Sequence, residues 1–225
     1  MSNLSIQTIL VPQCAEYQAV CRGLNQVNSA KPLVLPIPIG CKSLTQYLEK
    51  LQQSEHFLNS SQNILLMGLC GSLSAQYSIG DTVVYQECVD EKKSSQVCNS
   101  KLTELLQKKL KDKASLVKGL TSDRLIHLTS EKQRLGKLYN TEVVDMEGFA
   151  VLEVFKKVGI VRVISDDIHH NLPNLSSAIS PDGSLLPLPL ALMMMRQPIA
   201  ATRLIRGSLM GLRVLENITT LLFAG

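Results

Sequence analysis

Two acidic segments contain the residue types in this chain that are best suited to chemistry on a small molecule. Residues 143–150 (VVDMEGFA) change abruptly from apolar to acidic and then back to apolar. Residues 161–167 (VRVISDD) have the pattern of a buried strand that ends in two carboxylates. In an α/β protein such element ends can face one cleft, where one carboxylate handles a proton and the other holds a polyol. The pair therefore indicates chemistry on a sugar-containing small molecule.

The composition is that of an ordinary globular chain without a nucleic-acid-binding surface. Its 225 residues are 45% hydrophobic and 19% charged, which is enough for one α/β domain with a full core. Trp is absent, and the formal charge of +4 comes without a dense run of Lys and Arg, so we expect no nucleic-acid partner.

Cysteine usage and hydropathy predict a cytoplasmic location. The six cysteines form no C-x-x-C pair and lie at no zinc-ligand spacing from a His, which predicts free thiols. We expect neither a metal nor a cofactor. The first residues lack the pattern of a signal peptide. No apolar run reaches the ~18 residues of a membrane span.

Strand-type runs alternate with segments of helical spacing along most of the chain. Strands are expected at 8–12, 33–39, 63–67, 82–85, 117–121, 142–145 and 160–165, and the clearest helices at 43–58, 102–116 and 147–158. This alternation predicts an α/β fold in a single domain over residues 1–225. A central mixed, mainly parallel β-sheet would be flanked by helices in three α/β/α layers, with a helical C-terminal segment from about 190 to 225.

Several loops lie where such a sheet binds ligands. Ligands bind at the carboxyl ends of parallel strands, and the loops after Pro12, Ile39, Met67 and Ser165 lie at such ends. Residues 68–72 (GLCGS) are predicted to form a glycine-rich loop. Its backbone N–H groups could face a phosphate, a water molecule or a base.

Three motifs resemble, in order, those of the nucleoside phosphorylase/nucleosidase superfamily, which includes the purine phosphorylases and the methylthioadenosine/S-adenosylhomocysteine nucleosidases. Residues 63–85 (NILLMGLCGSLSAQYSIGDTVVY) resemble its strand, glycine loop, Gly-Asp turn and strand. Residues 141–150 (TEVVDMEGFA) resemble its Met-Glu ribose-binding segment, and residues 162–166 (RVISD) resemble its strand that ends in a catalytic Ser-Asp. One such motif is weak, whereas three in register at compatible intervals are specific.

The resemblance implies a role for each acidic segment. Asp166 would donate a proton to N7 of the departing purine, which typically accelerates such a step ~10²–10⁴-fold. Burial and repulsion from the adjacent Asp167 would keep this acid protonated. Glu147 would accept hydrogen bonds from the ribose hydroxyls, with Met146 packed on the sugar. The plainer alternatives are an aspartate that caps a turn and a glutamate favoured by a helix N-terminus.

The resemblance also implies a place for the nucleophile. Glu16 matches a position where a nucleosidase glutamate activates water, and a solvated helix residue is its alternative. Gly40 and Lys42 resemble a second glycine turn near the nucleophile, while Gly68 and Ser72 belong to the first glycine loop.

Inorganic phosphate and water both stay open as the attacking group. Phosphorylases of this superfamily usually bring arginines to the phosphate, and Met67 stands where several of them have one. Lys42 is the nearest cationic candidate. This departure leaves water possible.

The resemblance places the base beside four residues. Leu125 and Ile126 match a segment where the superfamily commonly has an aromatic residue that stacks on the purine. Leu125 would supply contact area without π-stacking. Cys70 and Gly71 complete the expected base contacts.

The C-terminal part resembles the hopanoid-associated phosphorylase branch, whose substrate is a nucleoside with an apolar polycyclic group. Residues 170–206 contain NLP at 171–173, PDG at 181–183 and RQP at 196–198 before a helix. The apolar helix that begins near 190 could pack in the core, form a dimer interface or line a groove for such a substrate. We expect the basic amphipathic helix after it to bury one face rather than to contact a membrane.

The sequence therefore predicts an enzyme that cleaves the N-glycosidic bond of a purine nucleoside, as a nucleosidase or a phosphorylase. The alternatives are a hopanoid-type phosphorylase and an inactive nucleoside-binding protein of the same fold. The expected partners are a small-molecule nucleoside and, for a phosphorylase, inorganic phosphate. The resemblance also implies a homo-oligomer, for which we expect a dimer.

Overall fold

One mixed β-sheet and the helices around it make up the structure, a computed structural model that describes residues 5–53, 62–174, 192 and 194–224. The strands are β1 (Thr8–Pro12), β2 (Leu33–Ile37), β3 (Ile64–Ser72), β4 (Thr82–Asp90), β5 (Ser95–Val97), β6 (Ala114–Thr121), β7 (Val143–Asp145) and β8 (Val158–Asp166). The helices are α1 (Ala15–Asn25), α2 (Cys41–Gln53), α3 (Ser100–Leu110), α4 (Thr129–Tyr139), α5 (Gly148–Val154) and α6 (Pro198–Phe223).

The strand pairing is mainly parallel, and the α/β fold class predicted from the sequence is confirmed. β1 pairs in parallel with β2 and β3, β3 with β8, and β6 with both β4 and β7. The antiparallel pairs are β3 with β7, β4 with β5, and β4 with β8. Successive pairing of β3, β8, β4, β6 and β7 returns to β3, so these strands close into a ring. The carboxyl ends of β1, β3 and β8 lie at the same edge of the sheet.

Two segments that contain glycine differ from their predicted structure. Residues 68–72, predicted as a loop, lie inside β3, because this strand pairs with β8 as far as Gly71 and with β7 at Ser72. The helix predicted at 147–158 ends at Val154, and Gly159, which directly follows the predicted helix, lies inside β8. Both strands are therefore longer than their apolar patterns indicated.

Helix α3 is shorter than predicted, because it ends at Leu110 and the chain pairs with β4 from Ala114 onward. The short strand β5 was not predicted, and it pairs with β4 at the edge of the sheet. The predicted helix at 43–58 is α2 as far as Gln53, and its last residues lie outside the described part of the chain.

β3 and β8 form the centre of the core. Every residue of β8 is buried, and in β3 only Leu69 is partly exposed. Apolar side chains of α1, α3 and α6 pack on one face of the sheet, and those of α2 and α5 pack on the other. Burial of each such Val, Leu or Ile contributes ~1.5–3 kcal/mol, so this core fixes the position of both central strands.

The C-terminal helix α6 lies close to the backbone of its neighbours. A Cβ atom added to Gly207 would lie 2.1 Å from the carbonyl oxygen of Ser165, and one added to Gly23 of α1 would lie 2.5 Å from the carbonyl oxygen of Glu216. These contacts hold α6 against the end of β8. In the described residues, no helix combines the length and the apolar character that crossing a membrane requires.

Substitution of Gly207 by Ala should therefore destabilise the protein. The new methyl group meets backbone rather than a flexible side chain, and such overpacking costs ~1–3 kcal/mol, although Ala is otherwise the better helix former. We expect the Tm to fall by several degrees in thermal unfolding followed by circular dichroism. Arg213→Ala, at an exposed position of the same helix, is the control and should leave the Tm nearly unchanged. Equal Tm values for Gly207→Ala and the wild type would contradict the close packing.

Candidate active site

A cavity of about 500 Å³ opens at the edge where β1, β3 and β8 end. Its lining includes Glu16, Cys70, Gly71, Leu125, Asp145, Met146, Glu147, Ser165 and Asp166, together with Ser208 and Leu212 of α6. The strand ends and α6 thus bring Glu16, Glu147 and Asp166, the three carboxyl groups that carry the predicted chemistry, into one cavity.

The deepest charge of the site is Arg162, which is fully buried on β8. Its Nε and Nη2 donate to Oδ2 of Asp145 at 3.1 and 2.8 Å, and Nη2 also donates to Oε2 of Glu147 at 3.1 Å. Burial opposes this charge, but the carboxylates of Asp145 and Glu147 outweigh it and raise the pKa of Arg162. Arg162 therefore stays a cation at every physiological pH.

Asp145, the main partner of Arg162, is itself held by further hydrogen bonds. Its Oδ1 accepts a hydrogen bond from Thr121 Oγ1 at 2.7 Å, and the backbone N–H of Gly148 lies 3.2 Å from both carboxylate oxygens. The side chain is completely buried. Asp145 thus links β6, β7, α5 and β8 around one ion pair.

Glu147 has one oxygen on Arg162 and the other on the backbone of the loop before α2. Its Oε1 accepts a hydrogen bond from the N–H of Gly40 at 3.1 Å. Gly40 has φ of +91°, a left-handed conformation that glycine adopts readily. Burial raises the pKa of Glu147, and the nearby Asp145 adds to this while Arg162 opposes it. Met146 lines the cavity beside it.

Glu16 brings its carboxyl group from the first turn of α1 to the middle of β3. Its Oε1 accepts a hydrogen bond from the N–H of Leu69 at 2.5 Å and lies 3.0 Å from the point that a Cβ of Gly68 would occupy. Burial, and then repulsion from Glu147, raises the pKa of Glu16 to about 8. Glu16 therefore holds its proton to a higher pH than an ordinary glutamate does.

Nη1 of Arg162 lies on the same side of β3. It is 2.3 Å from that Gly68 Cβ point, and it has no hydrogen-bond partner among the described residues. Buried donors are rarely left unpaired. This N–H can pair with Glu16 once Glu16 ionises, or with a small oxygen ligand between them.

Asp166 forms the opposite pole of the cavity, beside Gly71. Its Oδ2 lies 2.7 Å from the position of a Gly71 Cβ, and its Oδ1 accepts a hydrogen bond from Ser165 Oγ at 3.0 Å. The β3–β8 register shifts between Cys70 and Gly71, so Asp166 rather than Ser165 lies opposite Gly71. Bulges of this kind re-aim a side chain at the end of a strand.

The charged group in contact with Asp166 is the cation Lys132. The sequence had instead predicted that the neighbouring carboxylate of Asp167 would repel the charge of Asp166. The ammonium group of Lys132, in the first turn of α4, forms an ion pair with Asp166 Oδ2. The Asp167 carboxylate accepts hydrogen bonds from the backbone N–H groups of His169 and His170 and contacts the ring of His170. Burial alone would raise the pKa of Asp167, but these bonds lower it.

The predicted base contacts and glycine loops divide between the cavity and the core. Leu125, Cys70 and Gly71 line the cavity, whereas Ile126 is 2% exposed and packs with Leu73, Val89 and Leu120. Ser72 is buried and donates from Oγ to the carbonyl oxygen of Ser74, and Lys42 is exposed on α2. Neither of these two lines the cavity.

Two cations of the site, Arg162 and Lys132, have no role in the sequence prediction. Arg162 was part of the motif at 162–166 but received no role, although an arginine within a strand-type apolar run is itself a signal of a buried ion pair. Lys132 received no role either, since nothing in its helical spacing separates it from the exposed Lys137. Ser208 and Leu212 were missed because α6 is distant in sequence.

Solved structures of nucleosidases share this architecture. The native futalosine hydrolase of Helicobacter pylori strain 26695 has a TM-score of 0.67 at 15% identity, with 97% of each chain covered. The Helicobacter pylori 5′-methylthioadenosine/S-adenosyl homocysteine nucleosidase has a TM-score of 0.65 at 16% identity, with 96% of each chain covered. The Campylobacter jejuni nucleosidase of the same name has a TM-score of 0.62 at 14% identity, covering 94% of this chain and 99% of its own.

These likenesses show that the chain has the fold of these nucleosidases, the kind of protein whose motifs its sequence resembles. No protein-family model and no curated protein sequence matches the chain. The hopanoid-type resemblance stays a prediction, because its segment at 181–183 lies outside the described residues and only Ser208 and Leu212 of α6 line the cavity.

The raised pKa of Glu16 predicts a pH-dependent stability. The ordinary pKa of a glutamate is 4.5, and that of Glu16 in the folded protein is about 8. Between these two pH values the folded protein keeps a proton on Glu16 that the unfolded chain has lost. The contribution of Glu16 is therefore fully present below pH 4.5 and is lost as pH rises to about 8. Glu16→Gln keeps an acceptor for Leu69 N–H but has no proton to lose. As pH rises from 5 to 8.5, we therefore expect the Tm of the wild type to fall by several degrees relative to the Tm of Glu16→Gln.

Glu153→Gln, an exposed change on α5, is the matched control and should follow the wild-type curve. Thermal unfolding across this pH range checks both variants. Parallel curves for the wild type and Glu16→Gln would show that Glu16 titrates normally.

Proposed function

We propose that this protein hydrolyses the N-glycosidic bond of a purine nucleoside. The observation that carries the proposal is one cavity with a water-side carboxyl, Glu16, at one pole and an acid-side carboxyl, Asp166, at the other. Glu16 meets β3 at Gly68 and Asp166 meets it at Gly71. Three residues of a strand span ~10 Å, which suits a ribosyl group and its base held between the two groups.

Each pole supports one half of the reaction. As the bond between C1′ and the base nitrogen breaks, its electron pair goes to the base, and a proton delivered by Asp166 neutralises the negative charge. The ribosyl cation accepts the oxygen of water, whose proton passes to Glu16. Glu16 must be ionised to take that proton, and its ionised fraction grows as pH approaches about 8.

Glu147 and Met146 are proposed to hold the ribose between the poles. Both line the cavity next to Arg162 and Gly40. A carboxylate accepts two hydrogen bonds from a diol, and its negative charge also stabilises the positive charge that develops on the sugar ring. The apolar Met side chain offers a surface for the carbon face of the ring.

The charge balance at the water pole favours water over phosphate. Asp145, Glu147 and Glu16 surround the single guanidinium of Arg162. A phosphate dianion there would face more negative than positive charge, whereas neutral water can bond to both Nη1 of Arg162 and Glu16. Lys42, the cation suggested for phosphate by the sequence, is exposed and does not line the cavity.

The similar solved structures support a nucleoside substrate. Two of them are named for 5′-methylthioadenosine, an adenine nucleoside, and one for futalosine. Leu125, Cys70 and Leu212 give this cavity an apolar surface on which a purine can lie. These features support a purine base. The assay with different nucleosides identifies the 5′ substituent that the protein accepts.

Incubation with methylthioadenosine, adenosine and inosine, with and without phosphate, tests the proposal. We expect free base from at least one nucleoside at the same rate in both conditions, and the free sugar rather than its 1-phosphate as the second product. Glu16→Gln is expected to slow this release ~10²-fold or more, because the general base is lost. Release that requires phosphate would assign a phosphorylase, and binding without release would assign a nucleoside-binding protein.

Replacement of Asp166 by Asn should abolish delivery of the proton while keeping the size of the side chain. We expect kcat/KM for the best nucleoside to fall ~10²–10⁴-fold with a smaller change in KM. Asp112→Asn, at an exposed position after α3, is the control. Full activity in Asp166→Asn would remove Asp166 from the reaction.

A further inference from the structure

Lys132 is a buried cation whose carboxylate partner is the proposed acid. Its side chain is 0% exposed. Its Nζ forms the ion pair with Asp166 Oδ2 and donates to the backbone carbonyl oxygen of Asp167 at 2.7 Å. Asp166 lines the cavity, whereas Lys132 contacts Asp166 and does not itself line the cavity. Any effect of Lys132 on a ligand must therefore pass through Asp166.

The surroundings of Lys132 otherwise disfavour its positive charge. An ammonium ion without water is strongly destabilised unless it is paired. Lys132 is the fourth residue of α4, and the positive end of a helix dipole favours anions rather than cations. Glu131 is next to it in sequence, but its carboxylate forms a bidentate pair with Arg124. Among the described residues, Asp166 is thus the carboxylate that holds the charge on Lys132.

The ion pair with Lys132 makes it difficult for Asp166 to act alone as the proton donor. An ionised Asp166 accepts hydrogen bonds and cannot donate a proton to a base. The ammonium group that contacts Oδ2 is the proton donor within reach. Ser165 Oγ lies 3.0 Å from Oδ1 and 3.2 Å from the carbonyl oxygen of Cys70, so its single proton serves only one of them at a time.

We propose that Lys132 is a positioning residue that acts through Asp166 and supplies the proton given to the leaving base, an inference that rests on the proposed function. An N–H bond of the Lys132 ammonium breaks as an O–H bond forms on Asp166. That proton then passes to the base nitrogen, which has received the electron pair of the glycosidic bond. Asp166 returns to a carboxylate, and Lys132 is left as a neutral amine.

The cycle closes without a further reactant. Water has given its oxygen to C1′ and one proton to Glu16, so the site holds one extra proton at Glu16 and lacks one at Lys132. Release of the base opens the cavity to solvent. The proton then leaves Glu16 for solvent, and one from solvent reaches Lys132 by way of Asp166, which lines the cavity. The sum is nucleoside and water going to free base and free sugar.

Two substrates separate this role from a merely structural one. With the purine nucleoside that the wild type cleaves best, Lys132→Met should lower kcat/KM ~10²-fold or more, as loss of an acid does. With a para-nitrophenyl riboside, whose leaving group departs as a stable anion and needs no proton, the same variant should stay within a few-fold of the wild type. A structural defect would slow both substrates alike, and this result would overturn the proposal.

Lys132→Arg gives a second readout. Arginine keeps the positive charge beside Asp166 but does not lose its proton in proteins, so we expect it to remain as slow as Lys132→Met on the nucleoside and active on the riboside. Recovery of nucleoside cleavage by Arg would assign Lys132 to charge alone and overturn the proton-supply role. Lys137→Met, an exposed change on the same helix, is the matched control.

A double variant protects the test against loss of folding. Removing one partner of a buried ion pair is strongly destabilising, whereas replacing both is often tolerated. Lys132→Met combined with Asp166→Asn should therefore fold, and it should cleave the nucleoside no more slowly than Asp166→Asn alone, because both residues serve one step. A further loss of ~10-fold or more in the double variant would overturn the shared step.

The same experiments distinguish the two levels of inference. Wild-type release of base with unchanged rates in Lys132→Met would leave the hydrolase proposal standing and remove Lys132 from it. No release by the wild type from any nucleoside would overturn the hydrolase proposal, and the role of Lys132 would fall with it.

Discussion

The buried guanidinium of Arg162 is the charge on which the arrangement of the cavity depends. A cation in the middle of a fully buried strand is tolerated only with close anionic partners, and Asp145 and Glu147 supply them at 2.8–3.1 Å. Asp145 in turn needs the hydroxyl of Thr121 and the N–H of Gly148. One ion pair therefore fixes how β6, β7, α5 and β8 meet, and it holds Glu147 at the wall of the cavity.

Two glycines on β3 let the charged groups approach the sheet that carries them. At Gly68 a side chain would collide with Arg162 and Glu16, and at Gly71 it would collide with Asp166. The register shift beside Gly71 turns Asp166 toward the cavity. In the motif GLCGS, the two glycines therefore provide space beside a strand for charged side chains. The motif does not form a loop that binds phosphate.

The fold and the carboxylates were predictable from local patterns, and the cations were not. Apolar runs and acidic strand ends are short-range signals, so they predicted the sheet, Glu147 and Asp166. The partners of those carboxylates depend on which distant element packs behind them. Lys132 reaches Asp166 across 34 residues of sequence, and a surface helix pattern does not distinguish it from Lys137. Long-range ion pairs of this kind appear only when the packing of α4 is known.

The two poles of the cavity differ because their carboxyl groups meet their cations differently. Asp166 is bonded directly to an ammonium that can lose a proton, whereas Glu16 lies near a guanidinium that cannot and is bonded to a backbone N–H instead. A proton can therefore enter Asp166 from behind, while Glu16 must exchange its proton with the cavity. In the proposed reaction, this asymmetry gives the proton for the leaving base and the proton from water separate routes. The proposed routes require a lysine beside Asp166 and an arginine near Glu16. An arginine beside Asp166 would block delivery of a proton to Asp166, because a guanidinium does not lose its proton.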